Sequence, residues 1–419
     1  MTAHSAVYTL LRNRQIKRAE VQIARALSKA ESSVETAELL GLRARAKLYN
    51  GRPEGALEDL LRARELAPTE TEDAGWLELL ADSHFARYEL SAVGFAERSD
   101  AQQAESTYRA ILDRFPGYNN VGWINYQLAR VFLVTNRIDT AVEELQKALL
   151  APSIIAALTS YCYERLGFIA FYEQRDAQRA LTLLETAVQT YPGSEDRGWL
   201  VQVHLLRGRI LRDTHHMVRA IESAETALKI ALSIRGEAKP IKREALFTAA
   251  EILSRTDGHE RRVIEIIEQF LRLSRKPQSI DVTWSRAYEM LGDAYEQTHQ
   301  HEHAITSYLA SLQYNPYHPW EVSIYTRIAK AYYQHGDFDL TIQAARRGLD
   351  VAQAENQPVE FQLFDLMGSA QYALGLYDQA VTSFDEALQR VPAVDATFSK
   401  IKQYRAYAAS HLAHDPVTG

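Results

Sequence analysis

The 419-residue sequence predicts an all-α fold of stacked helix pairs, and three observations carry that expectation. It holds only 12 prolines and 19 glycines, too few for the many turns of a sheet protein. Its composition, 46% hydrophobic and 24% charged, is that of a soluble chain able to bury a sizeable core. A pattern of small and aromatic residues also returns along the chain with a period of about 40 residues, in the range of helical-repeat architectures.

The period is clearest where MLGDAYEQTHQHEHAITSYLASLQYNP (Met290 to Pro316) is set beside FDLMGSAQYALGLYDQAVTSFDEALQRVP (Phe364 to Pro392). Both carry an apolar–Gly step, small and aromatic residues, a polar turn, an Ala, an aromatic four residues later, and a closing Pro. In the first copy these are Leu291, Gly292, Ala294, Tyr295, Ala304, Tyr308, Ser311 and Pro316; in the second, Met367, Gly368, Ala370, Gly375, Tyr377, Ala380, Phe384, Ala387 and Pro392. The physical reading is two antiparallel helices. Gly292 and Ala304 are expected where the two backbones approach closely, Tyr295 and Tyr308 between one pair and the next, and Pro316 as the stop of the second helix. A unit this small cannot bury its apolar face alone, so copies must stack.

These residues resemble the tetratricopeptide repeat, a helix–turn–helix of about 34 residues. The resemblance runs over nearly the whole chain and implies a right-handed superhelical α-solenoid of about ten repeats. They are expected to start near residues 1, 37, 73, 122, 160, 201, 244, 285, 322 and 361. An array over 1–394 would be followed by a capping helix over 395–414 and a frayed tail over 415–419.

Taken in order, the second repeat is anchored by Gly51, Ala56, Ala63 and Pro68. The third has a first helix in GWLELLADSHF, a second in AESTYRAILDRFPG, and an insertion near residues 89–99. The fourth rests on Leu128, Ala129, Ala141 and Ala148, the fifth on Leu166, Gly167, Ala180, Ala187 and Pro192, the sixth on Gly208, Ala220, Ala224 and Ala227. The seventh departs from the pattern, with Val263 where a small Ala is expected. The ninth carries Ala329, Tyr332, Gly336 and Phe338. Repeats six to nine are spaced more widely, which predicts longer second helices, as in ETALKIALSIRGEAK.

THQHEH (Thr298 to His303) concentrates three of the 13 histidines, a composition that raises the question of a metal site. The frame places His299, His301 and His303 in the turn between two helices, where His215 and His216 also fall. There is no H-E-x-x-H, so no metal and no other cofactor is expected. The single Cys162 excludes an intramolecular disulfide and reads as a small buried filler. No segment reaches the length of apolar run that spans a membrane, and the N-terminal stretch lacks the pattern of a secretory leader, so a cytoplasmic protein without a membrane partner is expected.

No nucleophile elbow, phosphate-binding loop or dinucleotide fingerprint occurs, and the carboxylates lie at helical spacings beside Lys or Arg, so no catalytic residue and no enzymatic activity are expected. The resemblance implies that first helices line a concave groove. The inward places are Trp123, Tyr126, Arg130, Tyr161, Phe168, Phe171, Tyr172, Arg209 and Arg212, with Arg45 in the second repeat. Further along they are Glu289, Asp293 and Glu296, then Lys330 and Tyr333. Aromatic residues and arginine commonly carry interface energy. The expected function is therefore a scaffold or adaptor binding a protein or peptide, apolar near Tyr126 and Phe168 and with an acidic group near Arg130 or Arg209. A Lys and Asn clamp for chaperone tails is not found. A peptide- or ligand-sensing regulator is the second reading; the absence of a helix-turn-helix DNA-reading segment before the first repeat counts against it, and a small-molecule ligand is not expected. RNA binding is the third: RNRQIKR and RLSRK support it, and the net charge of −7 opposes it.

Overall fold

The computed structural model describes residues 3–12, 15–91, 98–152, 154–193, 196–235, 238–392 and 394–414. It divides into two compact units, Met1–Glu195 and Asp196–Gly419. The first holds α1 (Ala3–Arg12), α2 (Ile16–Leu27), α3 (Ser33–Tyr49), α4 (Pro53–Leu66), α5 (Ala74–Leu90), α6 (Arg98–Arg114), α7 (Val121–Val134), α8 (Ile138–Leu149), α9 (Ala156–Tyr172) and α10 (Ala177–Thr190). The second holds α11 (Arg197–Asp213), α12 (Met217–Ser233), α13 (Lys239–Leu253), α14 (Glu260–Leu273), α15 (Val282–Gln297), α16 (His301–Tyr314), α17 (Glu321–His335), α18 (Phe338–Ala354), α19 (Phe361–Ala373), α20 (Tyr377–Leu388) and α21 (Ala396–His414). No strand occurs among the described residues, and the fold is the expected all-α array of helix pairs.

Each odd-numbered helix packs on the even-numbered helix that follows, and within each unit successive pairs stack. The alanines are the spacers of this stacking: Ala180, Ala187, Ala220, Ala224 and Ala227 are fully buried. Val263, the exception to the small-residue pattern, is buried as well. Three first helices start with the same device: Asp73, Asp196 and Asp281 each accept, through Oδ1, the backbone N–H of Trp76, Trp199 and Trp284 at 2.9, 3.0 and 3.0 Å. Such a cap is worth about 1 kcal/mol.

Close backbone approach holds at Gly167, where an added Cβ would stand 3.3 Å from the Ala180 carbonyl oxygen. It does not hold at Gly292. There an added Cβ would stand 2.5 Å from the Tyr308 ring, so the glycine is small because the tyrosine of its own hairpin fills the place. Gly368 and Phe384 repeat the arrangement at 2.9 Å. Tyr308 is thus an intra-hairpin residue rather than a spacer between pairs, while Tyr295 does reach the preceding pair, its hydroxyl donating to Glu268 at 3.0 Å. The wider spacing of repeats six to nine is also only partly helical. α12 and α18 have 17 residues, but α14 and α16 have 14, and the extra chain lies in the connections after them. Of the insertion expected near 89–99, residues 92–97 lie outside the described residues, as does the tail 415–419.

The histidine stretch is also redistributed. Only His299 lies in the turn, whereas His301 and His303 open α16. His299 has φ +59° and His215 has φ +62°, the left-handed conformation that Gly51, Gly336 and Gly375 take in equivalent turns. The same pair of bonds closes both histidine turns: His299 N–H donates to Glu296 O and Gln300 N–H to Tyr295 O at 2.9 and 2.8 Å, and His215 N–H to Arg212 O and His216 N–H to Leu211 O at 3.0 and 2.8 Å. His303 packs its ring on Tyr295, with centroids 5.1 Å apart. Cys162 is fully buried, and burial pushes its thiol up to about 12, which leaves it unreactive at neutral pH.

Two outcomes follow for stability. Gly292→Ala forces the Tyr308 ring out of place and is expected to cost about 2 kcal/mol in urea unfolding. His299→Gly and His215→Gly relieve left-handed strain and should each add about 0.5 kcal/mol after the greater entropy loss of glycine is subtracted.

Candidate functional site

The aromatics that the sequence assigns to the inward places of first helices come together in two groups. Trp123, Tyr126 and Tyr161 form a chain of rings with centroids 5.5 and 6.2 Å apart. Phe168, Phe171 and Tyr172 form a second, with Tyr172 4.6 Å from Phe168 and 4.9 Å from Phe171. Tyr126 is only 6% exposed, so it belongs to the core rather than to an open docking surface. Tyr333 packs on Phe338 with centroids 5.6 Å apart.

The charged places are joined in a ladder. Successive first helices run parallel, so side chains about one repeat apart meet. Arg130 lies over the Phe85 ring at 4.9 Å and pairs with Glu89 at 2.5 Å. Gln127 donates to Asp82 at 3.1 Å. Arg209 donates to Thr248 at 3.0 Å and stands 3.5 Å from Glu244, while Arg212 stands 2.8 Å from Asp213 and 3.5 Å from Glu251. Arg327 pairs with Glu289 at 3.1 Å and Asp293 at 2.9 Å, and Lys330 with Glu296 at 2.5 Å. Each of Arg130 and Arg209 thus already faces a carboxylate of a neighbouring repeat, Glu89 of the preceding one and Glu244 of the following one.

Three carboxylates anchor the ladder, Glu289 buried and Asp82 and Asp293 partly buried. Glu289 is 3% exposed; burial alone would raise its carboxyl, but the Arg286 hydrogen bond at 2.6 Å and the charges of Arg286 and Arg327 hold it below the usual range. Asp293 accepts from the buried Tyr308 hydroxyl at 2.8 Å, and Asp82 accepts from the buried Tyr108 hydroxyl at 2.5 Å. Asp82 is pushed up to about 6, chiefly by burial, against the hydrogen bonds of Tyr108 and Gln127.

One place of the same face remains open. In the first unit α1, α3, the connection after α4, and α5 enclose a cavity of about 410 Å³. Its walls include Tyr8, Leu42, Arg45, Trp76 and Leu79, with the exposed Glu38 and Glu70 at the rim. Arg45 stands over the Tyr8 ring, its guanidinium carbon 5.9 Å from the centroid, and no carboxylate among the described residues lies within salt-bridge distance of it. Gly41 lies inside α3 on this wall, and a Cβ there would meet nothing within 4 Å. Every other described helical glycine has a neighbour inside that distance.

Two family models, each described as tetratricopeptide repeat, match one segment apiece, residues 161–194 and 285–318. The chain carries tetratricopeptide repeats. No curated relative matches it in sequence. Among solved structures, the apo form of RapI is similar at 11% identity over 90% of this chain and 99% of that one, with a TM-score of 0.48. A tetratricopeptide repeat protein from Parabacteroides merdae is similar at 14% identity over 72% and 98%, with a TM-score of 0.39. The tetratricopeptide repeat domain of P58(IPK) is similar at 14% identity over 99% and 98%, with a TM-score of 0.34. The tetratricopeptide repeat is a protein-interaction fold, which puts the chain in the general class of interaction scaffolds.

Sequence reasoning missed the carboxylates and cations that complete the tetratricopeptide ladder, Glu89, Glu244, Arg286 and Arg327, since each is one helical residue among many. A like-position comparison of charge sign between neighbouring first helices would have found them. Arg327→Met leaves the buried Glu289 short of a cation and is expected to cost about 3 kcal/mol in unfolding of the second unit, against less than about 1 kcal/mol for Lys330→Met at the more exposed rung. Ionised Asp82 costs stability above its raised pKa, and that cost is absent below its ordinary value. The stability of Asp82→Asn relative to wild type should therefore rise between about pH 4 and pH 7, by up to about 3 kcal/mol, in paired urea titrations.

Proposed function

We propose that the protein is a non-enzymatic interaction scaffold whose first unit takes a partner peptide segment at the cavity between α1, α3 and α5. The observation that carries this reading is Gly41. A glycine inside a helix costs about 1 kcal/mol relative to alanine, and it usually serves either a close packing contact or a ligand. No packing contact exists at Gly41, so an incoming chain that approaches the α3 backbone is the reason that remains.

The walls say what would enter. Leu42, Trp76 and Leu79 suit an apolar side chain, and Arg45 suits a carboxylate beside it. Glu38 and Glu70 at the rim repel a long acidic run, so one carboxylate flanked by neutral or basic residues fits better than an acidic tail. Arg130 and Arg209 act as internal struts in this reading.

The test is a quantitative pull-down from native lysate with the full chain as bait. A protein retained by wild type should be lost at least tenfold by Arg45→Glu and by Gly41→Leu, and retained by Arg209→Gln. Gly41→Ala should meanwhile stabilise the first unit by about 1 kcal/mol. Equal retention by all baits would show that the cavity is not the binding site.

A further inference from the structure

The second unit carries an exposed apolar and basic edge that the cavity reading does not use. The first helices α13, α15 and α17 have their N-termini on one edge, since Arg327 and Lys330 of α17 meet Glu289 and Glu296 of α15 in the same order along both helices, and the ends of α13 and α15 line one cleft through Leu253, Met290 and Ala294. At this edge Ile280 is 54% exposed, Val282 65%, Tyr317 78% and Trp320 65%. Four large side chains this open on consecutive connections form a patch rather than scattered exposure. The connections are tied to each other, because Asp281 N–H donates to Tyr314 O at 2.9 Å.

The loop holding the aromatics is braced. His318 is buried, with its Nε2 3.7 Å from Glu289 and its Nδ1 accepting the Trp320 N–H at 3.1 Å. Its neighbours Tyr317 and Trp320 project outward from that pin. Beside them Arg275 and Lys276 are exposed with no carboxylate partner among the described residues, and Arg235 and Lys239 are exposed in the same way one repeat earlier. Of the nearby acids, Asp281 caps α15, Glu289 lies under His318 and Glu321 is buried, while the exposed Glu355 accepts from Gln357 Nε2 at 2.6 Å.

We infer that this edge docks on an anionic phospholipid surface, with Tyr317, Trp320, Ile280 and Val282 entering the headgroup boundary and Arg275 and Lys276 meeting phosphates. Tryptophan and tyrosine suit that boundary because each ring is apolar with one polar group. Ile280 and Val282 favour a lipid among anionic partners: aliphatic branches have no ring face to stack on an unpaired nucleic-acid base but gain from entering the acyl region. The overall negative charge of the chain does not cancel the patch, since charges beyond about 10 Å are screened at cellular salt. No helix is long and apolar enough among the described residues to cross a membrane, and this contact needs none.

The experiment is co-sedimentation of the full chain with phosphatidylcholine vesicles, with and without phosphatidylserine. Binding is expected only with phosphatidylserine, weakening with added salt. Arg275→Gln and Lys276→Gln should each lower affinity about fivefold. The double variant Tyr317→Ala, Trp320→Ala should lose at least tenfold with an unchanged circular dichroism spectrum, and quenching by brominated acyl chains should fall in Trp320→Leu. Arg45→Glu should leave vesicle binding unchanged, which separates this result from that of the cavity. Equal binding to neutral vesicles, no binding to either, or binding indifferent to the double variant overturns the inference. Capture of homopolymeric RNA by wild type with loss in these variants, and no vesicle binding, assigns the edge to nucleic acid instead.

Discussion

The stacking in both units depends on a steric match repeated inside several hairpins: a small residue on the first helix against a bulky side chain or the backbone of the second. Gly292 under Tyr308 and Gly368 under Phe384 are its largest-scale form, and Gly167 against Leu184 and the Ala180 carbonyl its closest backbone form. Because interiors are packed like crystals, this match sets the distance between the two helices. That distance sets where the faces of the hairpin point, and so which side chains reach the next hairpin. The alanine spacers Ala220, Ala224 and Ala227 extend the same constraint along α12.

Once first helices stand parallel and a fixed distance apart, their charged side chains have little choice of partner. Arg130 meets Glu89, Arg209 meets Glu244, and Arg327 meets Glu289 and Asp293. A face that looks like a charged binding groove when read one helix at a time is largely self-neutralised when helices are read in pairs. The proposed partner site is where the pairing lapses, at Arg45, and where the packing lapses, at Gly41. The two lapses line the same cavity. The face presented to solvent is thus defined less by which residues it contains than by which of them the neighbouring repeat leaves unused.

The helix pairs were legible because their determinants are local and periodic. Gly, Ala and aromatic spacing states the hairpin directly, and the turn before Ala304 is visible in THQHEH. The site was less legible because its determinants are relations between repeats. Tyr126 reads as a groove aromatic, but the next repeat covers it with Tyr161; Arg130 reads as a free cation, but Glu89 lies on the first helix of the preceding repeat. Tyr308 reads from the sequence as a residue between pairs, because an aromatic four residues after a packed alanine can turn either way, and only the absence of a side chain at Gly292 directs it inward. His301 and His303 look like turn residues in the sequence because helix starts have no sharp signature when the cap is a glutamine, as Gln300 is here.

The ladder has a consequence for how the chain comes apart. In an array whose hairpins touch only their neighbours, unfolding spreads from one hairpin to the next, and its reach is set by the coupling across each junction rather than by any single core. Glu289, held by Arg286 and gripped across the junction by Arg327, is a strong coupling; the 3.5 Å approach of Arg212 to Glu251 is a weak one. The rungs therefore act as graded joints that decide where opening halts, so that neighbouring hairpins linked by a strong joint live or melt together while those linked by a weak one breathe on their own.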